Sequence, residues 1–338
     1  MDLSKYPIKS IRDKIEKVNN ILITTHFNPD GDAIGASLAL LNVLKALNKN
    51  VSMISPNELP FFLTWMKSAT EIINYEQQPH IANEKIENAE LIFYIDFNSI
   101  DRLAKAGDSF HVSSAYKILI DHHPDPEEFA DLIISETKIG SAAELVYEVI
   151  KEIGFEEFLN KDIAECIFTG IMTDTGNFSF SCAYPGVWEN MSELIKFEID
   201  RDFVFSQVYD NYSESRMRLM GYCLNDKMRI IPEINSAIIS LSINEMENFE
   251  YKPGDSEGFV NLPFSISGLK FSALLLEKED HIKLSLRSKG KFDVNKLARK
   301  HFKGGGHMNA AGCEASMSLI EAESLLIEIL REYMTELQ

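Results

Sequence analysis

The chain has 338 residues, of which 45% are hydrophobic and 25% are charged, and its formal net charge is −19. This composition is typical of a globular protein, and the length predicts two domains, at roughly 100–200 residues per domain. The negative charge argues against a protein that grips long duplex nucleic acid, because such binding depends on basic side chains that neutralise phosphates. A short nucleotide ligand held by a few local cations remains compatible with it.

Cysteine usage and the N-terminal sequence indicate the compartment. None of the four cysteines is spaced as C-x-x-C, so neither a zinc ribbon nor a thioredoxin-like site is predicted. The first residues lack the apolar core of a signal peptide, and no apolar stretch approaches the ~20 residues of a membrane span. We therefore expect a cytoplasmic protein without disulfides and without a membrane partner.

Short apolar segments alternate with helical patterns through the first half of the chain. The predicted helices are residues 8–18, 33–47, 141–153 and 162–172, and the predicted strands are residues 21–23, 51–54, 91–95, 117–120 and 132–134. Ser141 and Glu144 have the spacing of a capping box at the start of the third helix. Apolar strands that alternate with helices indicate an α/β fold with a parallel sheet covered on both faces.

The pattern changes in the second half of the chain. Residues 188–227 have helical patterns of mixed polarity, and we interpret them as a helical linker. Strands are predicted at 237–243, 271–277 and 282–286, before a final helix that Ser318 and Glu321 would cap. This predicts three parts: an α/β domain at 1–187, the linker, and a smaller α/β domain with a mixed sheet at 228–338.

Residues of the types that commonly bind metal ions are grouped at four separate places in the first half of the chain. They are His26, Asp30 and Asp32; Asp96; Asp121, His122 and His123; and Asp174. Most of them follow an apolar strand, and the carboxyl ends of parallel strands form the ligand-binding edge of such a sheet. Each group alone could be a turn, a helix cap or a surface histidine pair. Clustered carboxylates repel one another, however, so the combination predicts a bound cation.

The kinds of ligand indicate which cation. Carboxylates with a minority of imidazoles suit manganese or magnesium better than zinc, which prefers more nitrogen and sulfur. Two such ions roughly 3.5–4 Å apart could share carboxylates and deprotonate a water molecule near neutral pH. This chemistry favours cleavage of a phosphate ester.

The four groups, in this order, resemble the motifs of the DHH phosphoesterase superfamily, named for the sequence at 121–123. Within that superfamily, the chain most resembles the nanoRNase and pAp-phosphatase group. The resemblance implies two Mn²⁺ ions, or Mg²⁺ in their place, held by six ligands: His26, Asp30, Asp32, Asp96, His122 and Asp174.

The resemblance also implies how these ligands are shared. Asp96 and Asp174 would contact both ions, His26 and Asp30 would complete one ion, and the remaining two ligands would complete the other. The two predicted catalytic residues are not ligands. Asp121 would orient a neighbouring imidazole or the loop, and His123 would face the substrate phosphate.

A glycine-rich segment marks the second domain. Residues 304–312 read GGGHMNAAG, and three consecutive glycines expose backbone N–H groups that could hold an anion, although a flexible loop is the alternative. The segment resembles the GGGH-x-x-A-A-G motif of the DHH-associated domain, and residues 285–288 resemble a substrate-contacting strand of that group. The resemblance implies six substrate-binding residues: Arg287, Ser288, Gly304, Gly305, Gly306 and His307.

The local charge agrees with an anionic substrate. Between His281 and His307 there are eight basic residues and one acidic residue, a local charge of +7 in a chain of −19. A solvated basic surface is the alternative interpretation. Together with the glycine-rich segment, the charge predicts that the second domain binds a substrate phosphate, in a site that forms between two domains as the linker lets them close.

The function implied by the resemblance is hydrolysis of short oligoribonucleotides to mononucleotides, and of pAp to AMP. Three alternatives stay open: a phosphodiesterase for linear pApA, an exopolyphosphatase-like enzyme, and a nucleotide-binding regulator without activity. The regulator would be expected to lack some metal ligands, and none is missing here. The expected partners are short RNA or nucleotide bisphosphates rather than long duplex. The sequence does not fix the oligomeric state, and a homodimer is one arrangement left open.

Overall fold

The computed structural model describes residues 3–337 and divides into two compact units at the step from Asn211 to Tyr212. This step lies within the segment predicted to be a helical linker. The segment is helical on both sides of it, and the three-part division with its exact bounds stays a prediction. Within the described residues, no helix is both long enough and apolar enough to cross a lipid bilayer.

The first unit contains a six-stranded sheet in the order β3-β2-β1-β4-β5-β6, with every neighbouring pair parallel. Its strands are β1 Asn20–Thr25, β2 Asn50–Ser55, β3 Ile73–Asn74, β4 Leu91–Ile95, β5 Tyr116–Asp121 and β6 Leu132–Ser135. The predicted parallel α/β fold is confirmed. Strand β3 was not predicted, because two residues are too short to show a pattern.

Helices cover both faces of this sheet. They are α1 Ile8–Lys17, α2 Gly31–Ala46, α3 Pro79–Glu87, α4 Gly107–Val112, α5 Ala142–Glu152, α6 Lys161–Asp174, α7 Pro185–Leu194 and α8 Arg201–Tyr209. Successive strand residues point to opposite faces. Thus Ile23 lies in the core formed with α2, α5 and α6, whereas Leu22 lies in the core formed with α3 and α4.

The second unit contains a mixed sheet in the order β11-β12-β10-β9-β8-β7, in which only β8 and β9 are parallel neighbours. Its strands are β7 Arg229–Ile231, β8 Ser236–Leu241, β9 Phe271–Glu277, β10 Ile282–Ser288, β11 Lys303–His307 and β12 Ala310–Ala315. Its helices are α9 Glu214–Tyr222, α10 Ile243–Asn248, α11 Val294–His301, α12 Leu319–Glu332 and α13 Met334–Leu337. The predicted mixed sheet is confirmed.

The glycine-rich segment forms strands rather than the flexible loop that was the alternative interpretation. Gly304 to His307 belong to the edge strand β11, which pairs with β12. The glycines allow the two strands to approach, because a Cβ on Gly304 would lie 2.2 Å from the carbonyl oxygen of Gly312. Without side chains, the segment has no alternating pattern from which a strand can be recognised.

One of the two predicted capping boxes is complete. Ser318 and Glu321 cap α12 reciprocally, as predicted. At α5, Ser141 Oγ accepts a hydrogen bond from Glu144 N at 3.1 Å, but the Glu144 carboxylate turns to other partners. The prediction of a capping box at α5 is therefore half wrong, because a buried network competes for the same carboxylate.

Helix α2 is buried on nearly all sides and crosses α6 at short range. The crossing depends on Gly35, where a Cβ would lie 2.4 Å from the carbonyl oxygen of Cys166 and 2.9 Å from the backbone nitrogen of Gly170. Backbone atoms of a helix cannot move aside as a side chain can, so the two helices need glycine at this position.

We predict that Gly35→Ala lowers the free energy of unfolding by about 1–3 kcal/mol, the usual cost of overpacking a core. Urea unfolding followed by circular dichroism measures it. Gly221→Ala is the matched control, because a Cβ on this helical glycine meets no atom within 4 Å. The control should stabilise its helix by about 0.5–1 kcal/mol. Equal effects of the two substitutions would contradict the close crossing.

Candidate metal centre

The first group of ligands lies between β1 and α2. His26 is buried, and its Nδ1 lies 2.9 Å from Phe27 O, which leaves Nε2 directed toward the Asp96 carboxylate, 3.6 Å from Oδ2. Asp30 caps α2, since its Oδ1 accepts hydrogen bonds from Asp32 N at 3.0 Å and Ala33 N at 3.1 Å. The second carboxylate oxygen of Asp30 is thus available to bind a metal ion, while Oδ1 caps the N-terminus of α2.

Asp32 is held by the N-terminus of α5. Its Oδ2 accepts a hydrogen bond from Ala142 N at 2.6 Å, and its Oδ1 accepts one from Ala143 N at 2.8 Å. A helix N-terminus favours negative charge through its unpaired N–H groups and its dipole. Sequence analysis missed these two donors, because any residue except proline can supply a backbone N–H.

Asp96 follows β4 in the left-handed region of backbone conformation, with φ 67°. Its backbone N–H donates to Ile120 O at 3.1 Å, which ties the turn to β5. Its Oδ1 is buried and has no hydrogen-bond partner within the described residues. An orphaned carboxylate oxygen is costly to bury, so this oxygen is suited to a ligand from outside the chain.

His122 lies among three carboxylates. Its Nε2 is 3.4 Å from Asp96 Oδ1, 3.5 Å from Asp174 Oδ2 and 3.7 Å from Asp32 Oδ2. Asp174 is the last residue of α6 and Asp32 lies in the first turn of α2, whereas Asp96 and His122 directly follow β4 and β5. The spacing exceeds that of good hydrogen bonds. Three carboxylates therefore surround one imidazole nitrogen.

Asp121 and His123 form a closer pair. Asp121 is fully buried, its Oδ1 lies 2.7 Å from His123 Nδ1, and its Oδ2 has no hydrogen-bond partner within residues 3–337. A carboxylate that bonds one ring nitrogen fixes the orientation of the imidazole and directs the other nitrogen away from itself. This geometry suits the orienting role predicted for Asp121, which stays a prediction.

The structure brings all the predicted ligands of the first unit together. Among the described residues of the first unit, three groups of side chains have oxygen or nitrogen atoms that lie within 4.8 Å of one another: His26, Asp30 and Asp96; Asp32, His122 and Asp174; and Asp96, Asp121 and His123. The first two groups separate the predicted ligands into two sets of three. The sharing of Asp96 and Asp174 between two ions stays a prediction.

Burial and mutual repulsion shift the pKa values of the carboxylates in this cluster. Burial raises the pKa of Asp32, and the charges of Asp96 and Asp174 add to the effect. Burial also raises the pKa of Asp174 to about 6, against the imidazole of His122. Although burial disfavours the Asp96 anion, the neighbouring imidazoles of His122, His26 and His123 outweigh it and lower the pKa of Asp96. A divalent cation would relieve the repulsion, so the residues present fit a metal site.

Close helix packing places Asp32 and Asp174. A Cβ on Gly170 of α6 would lie 2.4 Å from Ala143 Cβ and 2.9 Å from Asp32 Oδ1. A Cβ on Gly31 would lie 2.4 Å from Thr173 Oγ1, next to Asp174. The glycines of α2 and α6 therefore let three helices converge on the carboxylates.

A buried network supports the N-terminus of α5. Tyr184 Oη accepts a hydrogen bond from Gly140 N at 2.9 Å and donates one to the buried carboxylate of Glu144. Asn190 Nδ2 donates to the same carboxylate at 3.0 Å. The network fixes the segment that carries the Ala142 and Ala143 amides, and so acts on Asp32 from a distance. Sequence analysis missed it, because Tyr184 and Asn190 lie 40 and 46 residues beyond Glu144 in the sequence.

The predicted substrate-binding residues lie in the second unit. Arg287 is on β10, and its Nη1 donates to Leu286 O at 3.0 Å. The Ser288 hydroxyl donates to Phe292 O at 2.6 Å and accepts from Asn309 Nδ2 at 2.8 Å. These bonds join the end of β10 to two neighbouring loops. Gly304, Gly305, Gly306 and His307 belong to β11. Their roles toward a substrate stay predictions.

Comparison with known families agrees with this geometry. The model of the DHH family N-terminal domain matches residues 20–171, and the model of the DHHA1 domain matches residues 235–336. The chain belongs to the DHH family. It is accordingly a phosphoesterase, a hydrolase of phosphate ester bonds. Each matched region lies within one of the two compact units.

Individual relatives extend over the whole chain. An exopolyphosphatase-related protein of Bacteroides fragilis is 42% identical, with a TM-score of 0.93 over 98% of this chain and 97% of that chain. The bifunctional oligoribonuclease and PAP phosphatase NrnA of Bacillus subtilis is 28% identical over 93% of this chain and 95% of that protein. NrnA of Thermus thermophilus is 29% identical over 93% and 90%.

The raised pKa of Asp174 leads to a prediction about stability. A carboxylate whose pKa is raised on folding contributes stability at low pH, and that contribution is lost as the pH rises through the folded-state value, here about 6. In the presence of a chelator, Asp174→Asn should therefore gain roughly 1–3 kcal/mol relative to the wild type between pH 4.5 and 8. Urea unfolding at both pH values measures the difference.

Asp202→Asn is the control for this experiment, since the Asp202 side chain is 95% exposed on α8. It should follow the pH dependence of the wild type. A wild type that becomes more stable than Asp174→Asn as the pH rises, without metal, would contradict the repulsion described for the cluster.

Proposed function

We propose that this phosphoesterase hydrolyses short oligoribonucleotides to mononucleotides and pAp to AMP, using two Mn²⁺ ions. The observation that carries the proposal is the grouping of three carboxylates, Asp32, Asp96 and Asp174, around one imidazole nitrogen of His122, with a buried oxygen of Asp96 left without a hydrogen bond within the described residues. The names of the Bacillus and Thermus relatives support the choice of substrates.

Six residues would hold the ions: His26, Asp30, Asp32, Asp96, His122 and Asp174. When bound, the ions would polarise the phosphate and lower the pKa of the attacking water. We assign the shared positions to Asp96 and Asp174. Manganese is preferred to zinc because four of these six ligands are carboxylates and none is a thiolate.

The chain itself would contribute orientation. The α5 amides hold both oxygens of Asp32, and the N-cap bonds hold one oxygen of Asp30, so neither carboxylate must reorganise on binding. Asp121 fixes the ring of His123 through Nδ1, and we assign Nε2 of His123 a contact with a phosphate oxygen of the substrate. Such preorganised groups lower the barrier because their orientation is set before the reaction.

We assign substrate binding to the second unit through Arg287, Ser288, Gly304, Gly305, Gly306 and His307. The local charge of +7 between His281 and His307 supports this assignment. A charge-assisted hydrogen bond contributes about 1.5–3 kcal/mol, so one or two such contacts favour a short substrate. The remaining surface has the charge of a strongly acidic protein and offers little to a longer strand.

Polyphosphate is the second candidate substrate. The relative of 42% identity is named as an exopolyphosphatase-related protein, and its fold agrees over nearly the whole chain. Polyphosphate carries no base or ribose, so the two candidates differ in what the second unit must recognise. A phosphodiesterase for linear pApA, a dinucleotide, remains a separate alternative that overlaps the first candidate.

The decisive experiment is a substrate panel with Mn²⁺. The substrates are RNA of two to 24 nucleotides, pAp, linear pApA and polyphosphate. We expect the shortest RNA and pAp to be hydrolysed at the highest kcat/KM, because added nucleotides gain few contacts. Preferred cleavage of polyphosphate, or equal rates on dimers and 24-mers, would contradict the proposal.

The metal assignment is tested by Asp174→Ala. We expect a loss of more than tenfold in turnover at saturating Mn²⁺, together with weaker Mn²⁺ binding by calorimetry, because one shared ligand is removed. Circular dichroism should show an intact fold. Full activity with unchanged Mn²⁺ affinity would contradict the assignment of Asp174 as a shared ligand.

The role of the second unit is tested by Arg287→Ala and His307→Ala. Each should raise KM for a dinucleotide by roughly tenfold, the equivalent of one charged contact. Hydrolysis of a simple aryl phosphate should change little, since that substrate has no second phosphate to bind. Equal losses on both substrates would show that these residues do not act through substrate binding.

A further inference from the structure

Asn295 joins helix α11 to the edge strand β11. The side chain is buried, and its Oδ1 accepts two hydrogen bonds, from Gly306 N at 3.1 Å and from Arg299 Nε at 3.1 Å. One buried oxygen therefore fixes both the strand and an arginine one helical turn further along. A bond to Nε restrains the arginine side chain close to its end.

The side chain of Arg299 packs against the backbone of Gly305 in β11. A Cβ on Gly305 would lie 3.5 Å from Arg299 Nε and 3.9 Å from its Cγ, so the stem runs along the face of β11. Arg299 is exposed and makes no ion pair within the described residues. In a chain with 52 acidic and 33 basic residues, an oriented arginine without a carboxylate is left available to an outside anion.

The other cations of α11 are engaged differently. Lys296 Nζ lies 3.3 Å from Asp293 Oδ2, and Lys300 Nζ lies 3.2 Å from Tyr333 Oη. Neither is restrained by a buried side chain. Arg299 therefore differs from its neighbours in both orientation and pairing.

The backbone beside Arg299 offers a further donor. Strand β11 is at the edge of its sheet, and Gly306 N donates to Asn295 rather than across to β12. Because N–H groups alternate in direction along a strand, the N–H of Gly304 also points away from β12, at the open edge. A planar guanidinium beside an edge amide suits a phosphate, which accepts several hydrogen bonds at once.

We propose that Arg299, with the open-edge N–H of Gly304, forms a binding site for a phosphate of the nucleotide substrate that is held but not hydrolysed. Asn295 is the positioning residue of this site. The proposal rests on the proposed function for the identity of the ligand, an oligonucleotide phosphodiester. It adds a residue that neither the metal groups nor the glycine-rich motif contains.

Binding without turnover tests the proposal. A fluorescently labelled RNA trinucleotide is titrated with the full chain in EDTA, and fluorescence anisotropy is read over a series of salt concentrations. Arg299→Ala should weaken binding about tenfold, as expected for one charged contact. It should also lower the slope of log K against log salt by about 0.7, the value for one phosphate contact of a single strand.

Lys300→Ala is the matched control, because it removes the same charge from the next residue of the same helix. It should bind within about twofold of the wild type. Arg299→Lys keeps the charge and loses the Nε bond to Asn295, so it should remain several-fold weaker than the wild type. Thermal melting establishes that each variant is folded.

Four results would overturn the proposal. Equal losses for Arg299→Ala and Lys300→Ala would show general attraction rather than a site. Wild-type binding by Arg299→Lys would show that positioning by Asn295 is irrelevant. Trinucleotide binding and hydrolysis by the wild type, with Arg299→Ala unchanged, would refute this site and leave the proposed function standing. Failure of the wild type to bind or hydrolyse any oligonucleotide would refute both.

Discussion

The mutual repulsion of buried carboxylates is the constraint on which the first unit depends. Asp32 and Asp96 are almost wholly buried, and Asp174 joins them around one imidazole. Such a cluster disfavours its own ionisation and costs the apoprotein stability. The fold tolerates it because central parallel strands end together, and because a helix N-terminus supplies neutral donors to Asp32. A bound cation would be attracted by all of these carboxylates and would remove their mutual repulsion.

Close packing and ligand geometry are consequences of the same glycines. Gly35 and Gly170 let α2 and α6 cross at backbone range, and Gly170 also leaves space for the Asp32 carboxylate beside Ala143. A larger residue at Gly170 would move the helix that carries Asp174 as well as the amides that hold Asp32. Stability and site geometry therefore cannot be changed independently at this crossing.

Prediction from the sequence succeeded where chemistry and periodicity are carried by residue type. The buried central strands are continuous apolar runs, and the aspartates and histidines predicted to lie at one edge of the sheet do lie close together. Their role as metal ligands stays a prediction. The Ala142 and Ala143 amides could not be found this way, because backbone donors leave no mark in the sequence. The Tyr184–Glu144 bond and the pairing of β11 with β12 were missed for a related reason. Both arise from tertiary contacts, and the capping-box spacing of Glu144 even indicated a different partner.

In each unit, neutral groups orient a charged side chain. Asp32 is oriented by two neutral amides, and Arg299 is oriented by the neutral side chain of Asn295. A counter-charge would fix either group as firmly, but it would also neutralise the field that attracts a cation or a phosphate. Neutral donors and acceptors restrain the geometry and leave the charge in place.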